Sequence, residues 1–155
     1  MKGYIPRALF FAIISSVIVI PVYAQVFTVN DAEKPSYLFV LSGTSGEMKG
    51  DTLTLNGVPN LVYFSDRPSR IAGHKSLSDI AGLWDKVPDS FKADPPNATF
   101  SILGKDGAVN SVLELISAEA NGSSVSFKIR VLEGSPPERF GAASLFVENF
   151  CPWCF

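Results

Sequence analysis

Histidine occurs once in this chain, as His74, and cysteine only twice, as Cys151 and Cys154 in the last five residues. A zinc centre needs several imidazole, thiolate or carboxylate ligands gathered in one place, and a lone histidine far along the chain from both thiols offers no such set. No metal and no cofactor is therefore expected. Two thiols held two residues apart can close a local disulfide, join two molecules or remain an exposed dithiol, and none of these staples the fold. Thioredoxin-type chemistry stabilises its thiolate at the start of a helix, whereas only Phe155 follows Cys154. The chain also lacks a G-x-S-x-G elbow, so Ser65, though near His74 in sequence, carries no sign of a hydrolase nucleophile. No linker of low complexity divides the sequence, and no internal repeat stands out.

Long apolar runs are missing as well. The stretch Ala8 to Ile20 has 13 residues, short of the roughly 18 to 20 that span a bilayer. Lys2 and Arg7 precede it, and Pro21-Val22-Tyr23-Ala24 puts small residues before Gln25, which is the pattern of a cleaved secretory signal over residues 1–24. The expected address is the periplasm or the extracellular space, with no membrane attachment after cleavage. Of 13 basic residues two leave with the signal, so eleven face 15 acidic ones. That balance argues against nucleic acid as a partner, and no basic amphipathic helix points to an anionic membrane surface. Residues 25–149 are enough for one domain with its own core, and 150–155 form an aromatic C-terminal tail around C-P-W-C.

Periodicity gives the fold class. Tyr37 to Leu41 is a continuous apolar run, Asp51 to Asn56 alternates with period two, and Asn60 to Ser65 makes the next strand, so that the first part reads as a meander with a turn at Asn56-Gly57. Ser76 to Val87 spaces Leu77, Ile80, Ala81 and Trp84 as one face of a helix, opens with Ser76 three residues before Asp79, and stops ahead of Pro88. Strands follow at Thr99 to Leu103, at Val109 to Ile116 with a break of phase that marks a bulge, at Val125 to Val131 after the Asn121-Gly122 turn, and at Ser144 to Val147. Short strands joined by Gly, Asn and Pro turns, with one helix, predict a mainly β domain: an antiparallel β-sandwich or partly closed barrel.

Two polar corners stand out. The first, Val62 to His74, runs from an apolar strand into a Ser-Asp-Arg-Pro turn and gathers Asp66, Arg67, Arg70 and His74. Two guanidinium groups can each grip a carboxylate or phosphate through paired N–H bonds, with a histidine beside them to donate a proton. The plainer alternative has Asp66 bracing the turn and pairing with one arginine. The second corner is Asp94-Pro95-Pro96-Asn97, whose prolines stiffen the backbone and fix the directions of Asp94 and Asn97; alternatively they shield a strand edge. Should Asp94 reach His74, an acid and base pair becomes available.

The segments Tyr63-Phe64-Ser65-Asp66-Arg67-Pro68, Arg70, Gly73-His74 and Asp94-Pro95-Pro96-Asn97-Ala98 together resemble a group of small exported bacterial proteins that share F-S-D-R-P-x-R-x-x-G-H and D-P-P-N-A motifs. The likeness extends to Tyr37-Leu38-Phe39-Val40 and to Phe140 through Phe146, and leaves out the C-P-W-C ending. It implies bacterial export and a shared fold, and it transfers no catalytic residue. The first expectation is thus an exported binding domain without catalysis, using Asp66, Arg67, Arg70, His74, Asp94 and Asn97 toward a small anionic ligand or an envelope partner. A small hydrolytic or isomerising enzyme using His74 with Asp66 or Asp94 is the alternative. An envelope assembly or adhesion subunit docking through the tail that holds Cys151 and Cys154 is the third.

Overall fold

The structure, a computed structural model, describes residues 35–85, 91–105 and 107–149. The signal segment, most of the lead-in and the C-P-W-C tail with Cys151 and Cys154 lie outside the described residues. Ten strands form: β1 (Tyr37–Gly43), β2 (Ser45–Lys49), β3 (Thr52–Asn56), β4 (Leu61–Ser65), β5 (Ala72–Lys75), β6 (Asn97–Gly104), β7 (Gly107–Asn121), β8 (Ser124–Glu133), β9 (Arg139–Phe140) and β10 (Ala143–Asn149). One helix, α1 (Leu77–Asp85), lies between β5 and β6. Every strand pair is antiparallel, and the strands make one sheet in the order β5-β4-β1-β10-β6-β7-β8-β3-β2-β9. The domain is mainly β with one short helix.

Side-chain alternation explains which face is buried. Tyr37, Phe39 and Leu41 of β1 and Val125, Phe127 and Ile129 of β8 point into one core, while their neighbours Leu38, Val40, Ser126 and Lys128 do not. A fully buried Leu, Phe or Val contributes about 1.5 to 3 kcal/mol relative to an exposed one, and the core draws such residues from seven strands and α1. The helix delivers Leu77, Ile80 and Trp84 to it. Trp84 stacks edge-on against Phe91 with ring centroids 5.0 Å apart, and its indole N–H donates to the Leu115 carbonyl at 3.3 Å. At the helix start, the Ser76 N–H donates to Asp79 Oδ2 at 3.3 Å and the Ser76 hydroxyl donates to the same oxygen at 2.8 Å. The carboxylate of the third helical residue thus folds back on the cap and offsets the dipole at that end.

Two sequence expectations change in detail, and the bulge expected in β7 is present. Asn56-Gly57 does not turn a hairpin between β3 and β4: β3 pairs with β2 and β8, while β4 pairs with β1 and β5. Both β3 and β4 instead follow one long bent ribbon, since only Thr44 separates β1 from β2. On the other side of that ribbon, β1 with β10 and β2 with β9 keep a single register, Gly43 opposite Ala143 and Gly46 opposite Phe140. The proline segment guards no edge, because β6 has β10 on one side and β7 on the other. The Pro96 carbonyl accepts the Leu115 N–H at 2.9 Å, extending the β6–β7 ladder one step past the strand. The break of phase in β7 is an irregular ladder with register shifts at Val112/Leu113 and Leu115/Ser117, the second leaving Ile116 as an extra residue.

Candidate functional site

Asp66 closes β4, and the Asp66–Ile71 connection to β5 is held by its own backbone. The Ser65 N–H donates to the Ile71 carbonyl at 2.8 Å, and the Arg70 N–H donates to the Asp66 carbonyl at 3.1 Å. The Ser65 hydroxyl accepts the Ile71 N–H at 2.8 Å and donates to the Asp66 carbonyl at 3.3 Å. That hydroxyl is engaged with the turn, and His74 is not among its partners. The Arg67-Pro68 peptide bond is cis, and Arg70 sits at φ 51°, in the left-handed region that most side chains avoid.

Among the described residues the Asp66 carboxylate pairs with no arginine. Its Oδ2 accepts the Ser36 hydroxyl at 3.1 Å, tying the turn to the residue that enters β1. Ser36, Asp66, Asp94 and Asn97 then share an open cleft of about 660 Å³ with Tyr37, Leu38, Phe64, Ser65, Pro95, Pro96 and Glu148. Asp66 of the first polar corner therefore faces the same opening as Asp94 and Asn97 of the second. The register explains the meeting: β4 and β10 flank β1, with Phe64 and Glu148 both opposite Leu38. The β10–β6 ladder, last paired at Val147–Ala98, brings Asn97 in beside Glu148.

The cleft lining is part apolar and part acidic. Leu38, Phe64, Tyr37 and the two prolines are its apolar members, with Phe64 41% exposed. Asp66, Asp94 and Glu148 come from three separate elements, and neither Asp94 nor Glu148 has a hydrogen-bond or ion-pair partner among the described residues. Among the described residues no lysine, arginine or histidine lines it. A further carboxylate nearby, Glu114 opposite Asn97, is occupied by Arg130, whose Nη1 lies 2.9 Å from Glu114 Oε2. The cleft carboxylates do not converge as a metal site: among the described residues no three His, Cys, Asp or Glu side chains are grouped to hold an ion.

The remaining residues of the charged stretch lie elsewhere. Arg67 and Arg70 are exposed on the turn, and His74 is exposed on β5 opposite Val62. None of the three lines the cleft, and His74 makes no hydrogen bond or ion pair among the described residues. The structure thus brings together Asp66, Asp94 and Asn97 and leaves out Arg67, Arg70 and His74. Sequence reasoning missed Ser36, Tyr37, Phe64 and Glu148 as members of the site. Glu148 had a visible signal: in S-L-F-V-E-N the outward positions are Ser144, Phe146 and Glu148, alternating with buried Leu145 and Val147.

Comparison of the chain with family models, with curated proteins and with solved structures finds no match.

Proposed function

We propose that this protein is an exported, non-enzymatic binding domain whose cleft takes a small ligand with an apolar face and a positively charged amine. The observation that carries this is the lining itself: three carboxylates from three elements, together with aromatic and aliphatic residues, and no cationic group among the described residues. A cation entering such a cleft meets opposite charge and stacking surface in one lining, the combination that recognises organic ammonium groups. The anionic ligand expected from Arg67 and Arg70 loses its support at this site, because it would approach Asp66, Asp94 and Glu148 without a guanidinium to meet it. Export is supported by the basic start, the apolar run and the small residues before Gln25.

The scaffold favours a preformed site. We read the pairing as a partly closed barrel, since following the ladders from β2 through β3, β8, β7, β6 and β10 returns to β1, the other half of the same bent ribbon. The cleft then sits at one rim of that barrel.

The test is a comparison of phenethylamine with phenylacetate, two probes of similar shape and opposite charge, by chemical-shift perturbation and calorimetry. Phenethylamine is expected to shift Tyr37, Phe64 and Asn97, to bind more weakly in Asp94→Asn, and to lose affinity as salt rises. Preference for phenylacetate, or no binding of either probe, overturns the proposal.

A further inference from the structure

The charged stretch that the cleft does not use leads to a second surface. β5 is the last strand of the sheet and among the described residues pairs only with β4. The Ser65 N–H bonds to the Ile71 carbonyl, with Tyr63–Gly73 and Leu61–Lys75 in step with that pair. In an antiparallel ladder the bonded residues alternate, so Gly73 and Lys75 turn their backbone groups toward β4. Ala72 and His74, both exposed, turn their N–H and C=O groups away from the sheet. The edge therefore offers two donors and two acceptors at strand spacing, which an extended chain can satisfy by adding a strand.

Charge selects the chain. Arg67 and Arg70 stand on the turn that feeds β5, exposed and without an ion pair among the described residues. β5 itself has no carboxylate; Asp66 ahead of it is bonded to Ser36 at the cleft, and Asp79 after it is bonded to Ser76 at the start of α1. A second copy of the protein would set one basic edge against another, with like charges opposed. Apolar surface adds a further requirement. Ile71 and Phe64 are each 41% exposed, and Phe64 lies opposite Ala72, so a residue added beyond Ala72 on the outward face extends an apolar row.

From this edge we propose that β5 docks an extended, acidic segment of a partner protein, apolar at alternate positions, as an eleventh strand. Backbone bonds to Ala72 and His74 hold the segment, and its carboxylates meet Arg67 and Arg70. This surface adjoins the cleft at Phe64 but uses other backbone groups and charges, and neither proposal depends on the other.

The probe is a fluorescent eight-residue peptide alternating valine with glutamate, read by anisotropy on the mature chain. Binding is expected, with a loss of at least about tenfold when lysine replaces glutamate and a similar loss when every second peptide amide is N-methylated. His74→Pro removes one outward donor and no bond to β4, since proline is tolerated where the N–H faces solvent, and is expected to weaken the peptide about tenfold. Arg67→Glu combined with Arg70→Glu acts in the same direction, while Asp94→Asn leaves peptide affinity unchanged. Failure of the glutamate peptide to bind, or equal binding of the lysine or N-methylated peptide, overturns the proposal even if His74→Pro does not fold. A concentration-dependent dimer in sedimentation, abolished by His74→Pro, also overturns it by giving the edge to a second copy.

Discussion

The phenol of Tyr63 fills the space that a side chain on Gly73 would need: a Cβ there would lie 2.6 Å from the hydroxyl oxygen and 2.8 Å from Cζ. The two residues are direct partners across β4 and β5. Tyr63 in turn meets Tyr37 edge-on, with centroids 6.1 Å apart, and Tyr37 lines the cleft. A glycine on the outermost strand is thereby linked to the wall of the site through two aromatic rings. Gly73→Ala is expected to push Tyr63 off its seat and cost about 1 to 3 kcal/mol, as overpacking does. Urea unfolding measures the loss, and a change in the nuclear Overhauser contacts between Tyr63 and Tyr37 shows that the displacement reaches the cleft.

Trp84 provides a second prediction, because it anchors α1 through both packing and polarity. Its ring stacks on Phe91 and leans on Phe127, and its N–H satisfies the Leu115 carbonyl beside the irregular part of β7. Trp84→Phe keeps an aromatic ring but leaves that carbonyl short of a donor, at an expected cost of about 1 to 3 kcal/mol. Trp84→Ala also opens a cavity and is expected to cost about 3 to 5 kcal/mol. Denaturant midpoints of the two variants, taken with the slope unchanged, separate the hydrogen bond from the packing.

The mainly β class with one short helix could be read from the sequence, because its strongest segments obey one period at a time. Val125, Phe127 and Ile129 alternate with polar residues, and α1 carries its cap and its apolar stripe within ten positions. β2 and β5 escaped notice for the opposite reason. S-G-E-M-K and A-G-H-K contain glycine and charge and no apolar alternation, and they become strands because a neighbour supplies the ladder. Gly46 fits only because it leaves room for Phe140, its partner on β9. Asn56-Gly57 misled through local turn chemistry, since the backbone there bends along a ribbon instead of reversing. At the site, the motifs named Asp66, Asp94 and Asn97, but assembling them depends on register between strands far apart in the chain. That long-range pairing is also what sends His74, only eight positions after Asp66, to a different surface.

The acid side of the stability profile should depend on one surface pair. Lys128 Nζ lies 3.1 Å from Asp51 Oδ2, and the hydrogen bond from Lys128, followed by its charge, holds the Asp51 carboxyl below its ordinary value of 3.8. A carboxyl that is more acidic in the folded chain favours folding above its unfolded value and loses that contribution as pH falls through the folded one. The stability difference between the wild type and Lys128→Ala is therefore expected to be constant above roughly pH 5 and to shrink as pH falls through the window below 3.8. Both groups are more than half exposed, so the difference should be small and should fade in 1 M salt. A carbon-13 titration of Asp51 checks the cause directly: its midpoint should move up to the usual carboxylate range in Lys128→Ala. An unmoved midpoint would mean that the ion pair does not persist in solution, and the acid limb would then have to arise from other carboxylates.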